Sequence, residues 1–179
     1  MIETEWYRIK KDRAASGIRG KKGFQRKDYP YFMDWKAFDA LETRVAFYDY
    51  SGRAEIDDFL FEPTFMLSDR FRRLFQLLEP EMEFQSVNLL DEKLKEKAPS
   101  PVYWIPYLPC AEAIHPASRI VQGKAENLVL KRGTLEGKRV LHCHLPADDI
   151  WLISLEAAEC ILRRAPIGIG MEKLRTIAE

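Results

Sequence analysis

Several features that commonly mark a function are missing from this chain. The three cysteines form no CxxC pair, no serine lies in a GxSxG motif, and no HExxH sequence occurs. No apolar run approaches the roughly 20 residues that cross a bilayer, and the opening MIETEWYRIKKDR lacks the apolar centre of a secretion signal. An odd number of scattered cysteines is typical of a reducing compartment. We therefore expect a cytoplasmic protein that does not enter a membrane.

Net charge is also missing, because 28 basic residues balance 28 acidic ones. The balance is uneven along the chain: residues 1–28 hold nine basic and four acidic side chains, so this segment is +5 and the remainder −5. Residues 8–27 lie near several aromatic side chains and could contact phosphates and stack bases, which leaves nucleic-acid binding as an alternative function. No nucleic-acid motif accompanies the segment. A solvated basic arm that follows a first strand within residues 1–30 is favoured.

Two stretches of the chain have the same plan. In residues 63–89, an apolar run precedes Ser68, an expected N-cap, and the spacing of Phe71, Leu74, Phe75 and Leu78 predicts a helix over Asp69–Glu79 that Pro80 ends. In residues 150–174, Ser154 precedes a predicted helix over Leu155–Arg164, and Pro166 follows. A strand is predicted on each side of both helices.

The remaining patterns predict strands. These are TEWYRIK near the start, RVAFYDY at 44–50, the proline-interrupted VYWIPYLPC, a short strand within ENLVLKRG, and RVLHCHL. Prolines at 106 and 109 confine the aromatic strand to a sheet edge or end it early. A length of 179 residues suits one domain. We therefore predict a single α+β domain over 1–179, with its core in 44–179 and a mixed or mainly antiparallel sheet beside two Ser-capped helices.

The segment RVLHCHL, residues 139–145, holds the residue types most typical of a catalytic or metal-binding site. Alternation places His142 and His144 on one face of a strand and Cys143 on the other, among leucines that suit a core. Two histidines at this spacing occur in zinc hydrolases, so a metal-dependent hydrolase is an alternative. A catalytic zinc takes three protein ligands, however, and no motif supplies the third. A solvent-facing structural strand is favoured, and neither an enzyme nor a cofactor is predicted.

Binding is better supported than catalysis. Tyr103, Trp104 and Tyr107 are the residue types that dominate protein interfaces, although aromatic side chains in strands also build cores. Three acidic clusters could meet a basic partner: Asp57 with Asp58, Asp148 with Asp149, and the glutamates at 79, 81 and 83. Solubility explains the acidic residues equally well.

The order of motifs resembles a known family. The segments PTFMLSDRFRRLFQLLEPEMEFQSVNL, YWIPYLPCAEAI, LVLKRGTLEGKRVLHC and IWLISLEAAECILRRAPIGIGMEKL follow one another as in immunity proteins of bacterial polymorphic toxin systems. The similar group is typified by immunity proteins eleven and forty-three, formerly a domain of unknown function. The resemblance runs from about Arg44 onward. Where relatives carry an acidic residue after the Tyr-Trp strand, this chain has Cys110-Ala111, with Glu112 close by.

The resemblance implies a non-catalytic protein that binds and neutralises a cognate toxin domain in the cell that produces it. Such a partner needs a preformed interface of about 1,600 Å² with a few aromatic or arginine anchors. The expected contact residues are Tyr103, Trp104, Tyr107, Glu112, Asp57, Asp58, Asp148 and Asp149, with Trp151 as a further candidate. The identity of the toxin and the oligomeric state stay open.

Overall fold

The described part of the chain folds mainly into β-strands with three α-helices between them. The computed structural model describes residues 4–12, 35–40, 45–48, 56–91 and 100–178. Within these ranges the elements are β1 (Trp6–Lys11), α1 (Trp35–Asp39), β2 (Val45–Tyr48), β3 (Phe59–Leu60), β4 (Met66–Ser68), α2 (Asp69–Leu78), β5 (Glu83–Asp91), β6 (Val102–Tyr107), β7 (Arg119–Val121), β8 (Lys124–Asn127), β9 (Val129–Lys131), β10 (Val140–Leu145), β11 (Asp148–Ser154), α3 (Leu155–Leu162) and β12 (Ile169–Ile177).

The strands of the described residues form two five-stranded sheets and a separate hairpin. The first sheet has the order β10-β11-β1-β12-β9, and the second has the order β2-β5-β6-β4-β3. Each sheet is antiparallel apart from one parallel pair, β12 with β9 and β2 with β5. This mixed, mainly antiparallel arrangement confirms the predicted single α+β domain. The basic arm beyond Asp12 and the charged segment 92–99 lie outside the described residues.

Both predicted strand-helix-strand units are present. In α2 the apolar positions Phe71, Leu74, Phe75 and Leu78 are all buried, as their helical spacing predicts. The hydroxyl of Ser154 accepts a hydrogen bond from the Ala157 amide at 3.3 Å, which confirms this residue as a cap. The same prediction is wrong for the Ser68 hydroxyl, which makes no cap bond and donates instead to Asp58 at 2.8 Å.

The two sheets repeat one topology. In each, the parallel strands on either side of a helix are separated by a third, antiparallel strand: β6 lies between β4 and β5, and β1 lies between β11 and β12. The outer neighbours also match, since β3 and β10 are antiparallel to β4 and β11, while β2 and β9 are parallel to β5 and β12. We name the unit β2-β6 with α2 copy one, and the unit β9-β12 with α3 and β1 copy two.

Individual contacts repeat as well as strands. In copy one the Ser68 amide donates to the Asp58 carbonyl at 2.8 Å, and in copy two the Ser154 amide donates to the Arg139 carbonyl at 2.9 Å. The side chain of Asp58 then pairs with Arg70, and that of Arg139 pairs with Glu156. The two equivalent positions therefore form an ion pair in both copies, but the acidic and basic residues have exchanged places.

Aromatic packing joins the two copies. The rings of Phe65 and Trp151, which precede the equivalent residues Met66 and Leu152, stack at 5.2 Å between centroids. Each packs on an aromatic side chain of its own copy, Phe61 at 5.4 Å and His142 at 4.6 Å. Phe65 and Trp151 belong to one buried cluster that includes residues of both helices. A second cluster, around Trp6 and Leu152, fills the other face of the first sheet.

The aromatic strand β6 is only partly an edge. It pairs with β5 along its length, but β4 covers its other side only at Tyr103 and Trp104. Pro106 therefore lies where only β5 is paired, and the strand ends at Tyr107, before Pro109. Of the two outcomes that the prolines allowed, an edge position or an early end, the early end is confirmed, and Pro106 lies in the half of β6 that pairs only with β5 among the described strands. The hairpin β7-β8 was not predicted.

Replacing Gly168 with alanine should destabilise the fold strongly. This glycine has φ +90°, and an added Cβ would lie 2.6 Å from the Asp57 Cβ and 2.8 Å from the Phe59 carbonyl oxygen. We expect Gly168→Ala to lower the free energy of unfolding by about 2–4 kcal/mol in a urea titration. Gly137→Ala is the matched control, because Gly137 has φ +71° with open space around it, and its cost should be only about 1 kcal/mol. Equal losses at the two positions would contradict the close packing at Gly168.

Candidate functional site

The strand β10, which carries His142 and His144, lies between the two buried apolar clusters. On β10, Leu141, Cys143 and Leu145 belong to the second cluster, while Val140 belongs to the cluster that joins the copies. Cys143 is 1% exposed, and burial raises the pKa of its thiol to about 11, which fits the small buried hydrophobe predicted for it. His142 is also 1% exposed, so the expectation of a solvent-facing strand is wrong at this position.

The two histidines share one carboxylate. The Nδ1 atom of His144 lies 2.9 Å from the Asp149 Oδ1, and the Nε2 atom of His142 lies 3.7 Å from the same oxygen. β10 and β11 bring them together, because His142 pairs with Trp151 and His144 with Asp149 in their register. Among the described residues, no three histidine, cysteine, aspartate or glutamate side chains are arranged to hold a metal ion. The histidine pair is thus organised around Asp149.

A cysteine lies at the other side of the His142 ring. The Sγ atom of Cys110 is 3.6 Å from His142 Nδ1, and the Leu108 carbonyl oxygen is 3.4 Å from the same nitrogen. The contact exists because Cys110 forms an isolated parallel bridge with His142 at the outer edge of β10. Burial, followed by the charge of Asp149, raises the pKa of the Cys110 thiol. Cys110, His142 and Asp149 thus lie in a row, which we call the thiol cluster.

Sequence reasoning did not find the thiol cluster. Cys110 and His142 are 32 positions apart, and neither belongs to a motif that names the other. The nearest signal was the resemblance, which marked Cys110-Ala111 as a departure from the family pattern. The two residues meet only because the folded chain places Cys110 beside the outer edge of β10.

The acidic pair Asp57 and Asp58 is buried, at 9% and 6% exposure. Asp58 accepts hydrogen bonds from the Arg70 guanidinium, the Ser68 hydroxyl at 2.8 Å and the Ile167 amide at 3.1 Å. Burial by itself would raise the pKa of Asp58, but these hydrogen bonds and the charge of Arg70 hold it below its ordinary value. This carboxylate is committed to the fold, which leaves little of it for a partner.

The other acidic pair is also engaged inside the molecule. The Asp148 carboxylate accepts from the Arg8 guanidinium at 2.6 Å, with side-chain exposures of 19% and 12%. The same two side chains bind the backbone of Ala125 on β8: Asp148 accepts from its amide and Arg8 donates to its carbonyl, both at 3.4 Å. The ion pair thereby holds the β7-β8 hairpin against the first sheet.

Of the basic residues within 1–28, only those before Asp12 belong to the described part of the chain. Arg8, Lys10 and Lys11 form ion pairs with Asp148, Glu172 and Glu62. The basic residues from Arg13 to Lys27 lie outside the described residues, so the nucleic-acid alternative stays a prediction.

The aromatic side chains that were expected to contact a partner differ in their burial. Tyr103 and Tyr107 are buried, and the Tyr103 hydroxyl donates to the Asp57 carbonyl at 2.5 Å. Trp151 is 2% exposed within the joint between the copies. Trp104 is half-buried on the opposite face of β6, where the Arg72 guanidinium lies 4.8 Å from its ring. Glu112 is exposed. Of these residues, Trp104 and Glu112 therefore have side-chain surface to offer a partner.

A scan of protein-family models and a search of curated protein sequences both find no match for this chain. Within the described part of the chain, no helix combines the length and apolarity needed to span a membrane.

Replacing Asp58 with asparagine should cost about 2–3 kcal/mol of unfolding free energy at pH 7, because charge-assisted hydrogen bonds are lost at a buried position. The folded-state pKa of Asp58 is lowered, so its contribution is present above the unfolded pKa of about 3.9 and is lost as the pH falls through the folded value. The difference between wild type and variant, from urea titrations at pH 7 and in the acid range, should therefore shrink on acidification.

The equivalent pair in copy two provides the control. Arg139 and Glu156 have side-chain exposures of 49% and 63%, and exposed pairs contribute at most about 1 kcal/mol. We expect Glu156→Gln to change stability much less than Asp58→Asn. Equal losses of unfolding free energy in the two variants would show that the buried Asp58 network stabilises the fold no more than an exposed ion pair does.

Proposed function

We propose that the protein is a non-catalytic inhibitor that binds and neutralises a cognate toxin domain in the bacterial cell that produces both. The order of motifs from Arg44 onward, which resembles toxin-immunity proteins, supports this class of function. An inhibitor of this kind needs a preformed apolar surface with strong anchors.

The proposed binding surface lies on the side of β6 opposite Tyr103. Trp104 lies there, with the Arg72 guanidinium 4.8 Å from its ring and 6.0 Å from the Phe84 ring. Residues on alternate positions of β5 and β6 share this side, because Val102 pairs with Asn88 and Trp104 with Ser86. Val102 is 41% exposed, and Leu90 on β5 is 38% exposed. We call this set of residues, Arg72, Phe84, Leu90, Val102 and Trp104, the Trp104 face.

The composition of the Trp104 face suits a protein partner. Tryptophan and arginine are the residues most enriched where alanine substitution costs most binding energy. The guanidinium of Arg72 is held by Asp69 at 3.1 Å as well as by the Trp104 ring, so little conformational freedom remains for binding to remove. A fixed arginine over a half-buried tryptophan is a preformed anchor.

The placement of the acidic pairs changes the expected electrostatics. Asp58 and Asp148 are neutralised by Arg70 and Arg8, so they add little to steering of a basic toxin. Glu112 and the exposed glutamates 81 and 83 keep their side chains at the surface. Apolar contact at the Trp104 face, supplemented by these glutamates, is the mode of binding that we propose.

Trp104→Ala should weaken binding of the toxin domain by about thirtyfold or more and so reduce its capture. The tagged protein is used to capture partners from a host lysate in which the neighbouring toxin is expressed, and the bound proteins are identified by mass spectrometry. Loss of a central tryptophan anchor typically costs at least about 2 kcal/mol, which is about thirtyfold in affinity. A titration of the purified toxin domain then gives the change in Kd.

Leu77→Ala is the matched control, since Leu77 is 75% exposed on α2 and lies outside the Trp104 face. It should capture the toxin as well as the wild type does. Thermal unfolding of both variants separates lost binding from lost folding. Failure of the wild type to bind an expressed toxin would overturn the proposed function, whereas equal binding by Trp104→Ala would overturn the Trp104 face alone.

A further inference from the structure

The thiol cluster has the arrangement of an activated nucleophile. The Cys110 Sγ lies 3.6 Å from one ring nitrogen of His142, and the Asp149 carboxylate lies 3.7 Å from the other. A thiol, an imidazole and a carboxylate in this order allow the imidazole to accept the thiol proton while the carboxylate stabilises the resulting cation. Cys110 is an exposed residue at the outer edge of β10.

The imidazole is held in place for this task. The His142 side chain has no exposed surface, and its ring stacks on Trp151 at 4.6 Å with an angle of 20° between the planes. Asp149 is in turn fixed by His144 Nδ1 at 2.9 Å. A fixed ring keeps Nδ1 beside the sulfur, which removes an entropic cost from proton transfer, and the Leu108 carbonyl oxygen 3.4 Å from this nitrogen can accept from the imidazolium that forms.

The comparison of the two copies shows that the fold does not require this polar arrangement. The register of β3 with β4 and of β10 with β11 makes Phe61 the equivalent of His142, and both rings pack on an aromatic neighbour. The hairpin of copy two is also longer: Phe59 and Leu67 pair across eight positions, whereas Val140 and Ile153 pair across thirteen. His144 and Asp149 lie in that extension. The same frame thus folds with an apolar aromatic residue at this position.

We propose that Cys110 is a nucleophilic thiol that undergoes exchange with low-molecular-weight disulfides, with His142 as its proton acceptor and Asp149 as a positioning residue. In the exchange, the thiol proton passes to His142 Nδ1, and the sulfur of Cys110 attacks one sulfur of the disulfide. A mixed disulfide forms on Cys110. The other half of the reagent leaves as a thiolate and takes up a proton, so one disulfide bond breaks as another forms, the reagent is reduced as Cys110 is oxidised, and no further oxidant is needed.

Proton transfer to His142 is essential to the proposal. Burial and the charge of Asp149 raise the pKa of the Cys110 thiol, which keeps it protonated at rest. An imidazolium 3.6 Å from the sulfur opposes both effects, because an adjacent positive charge favours the thiolate. The reactive form is therefore an ion pair of Cys110 with His142, made stable by the carboxylate behind the ring.

The test uses the full-length protein with oxidised glutathione at pH 7, an acid quench, and mass spectrometry of peptides to follow each cysteine separately. The chain supplies its own controls, because Cys160 is half-buried on α3 and Cys143 is buried. We expect Cys110 to be modified about tenfold faster than Cys160. Cys143 should stay unmodified, and its modification would report unfolding.

His142→Phe is the sharpest variant, because copy one already accommodates phenylalanine at the equivalent position. It should keep the stacking on Trp151 and slow the modification of Cys110 relative to Cys160, as should Asp149→Asn. Because unfolding would accelerate the half-buried Cys160 more than the exposed Cys110, the fall in this ratio must come from a lower absolute rate at Cys110, measured while Cys143 stays unmodified. A wild-type Cys110 that reacts no faster than Cys160, or a ratio unchanged or increased in either variant, would overturn the proposal.

Discussion

The carboxylate of Asp58 is the interaction on which the two-copy structure most depends. It accepts from Ser68 and Arg70 of copy one and from the amide of Ile167, which leads into β12 of copy two. Arg70 extends the link, since its guanidinium also donates to the Arg164 carbonyl at 3.1 Å at the end of α3. A buried charge satisfied from three directions fixes the two copies relative to each other far more specifically than apolar packing alone.

The local elements of the fold were predictable because their causes lie in neighbouring residues. Apolar positions at helical spacing predict α2, and the proline that follows each helix predicts its end. The short hairpin β7-β8 escaped prediction because its strands are exposed and weakly patterned, although Gln122 and Gly123 adopt the left-handed backbone of a tight turn. The role of Ser68 was missed for a different reason: a distant carboxylate, Asp58, binds its hydroxyl.

The candidate sites were harder to predict, since each depends on contacts between distant residues. Adjacent aspartates such as Asp57 and Asp58 look like a solvated acidic surface until Arg70 is known to lie beside them. Tyr103, Trp104 and Tyr107 were predicted as one aromatic group, and the sequence alone does not show that the strand places Trp104 on the side away from the core. The burial of His142 follows from Trp151, which stacks on its ring, and from Cys110, which bridges to the edge of β10, and neither residue belongs to the seven-residue motif.

Copy two takes its central strand from the opposite end of the chain, and this has a consequence for the order of folding. Trp6 pairs with Ser154 and Leu174, so β1 is synthesised well before the distant strands with which it pairs. The strands of copy one, from Val45 to Tyr107, are complete much earlier. Closure of contacts across such a long loop is slow. Synthesis should therefore pass through a state in which the strands of copy one are available while β1 still lacks its sheet, and β11 and β12 then fix β1 in place.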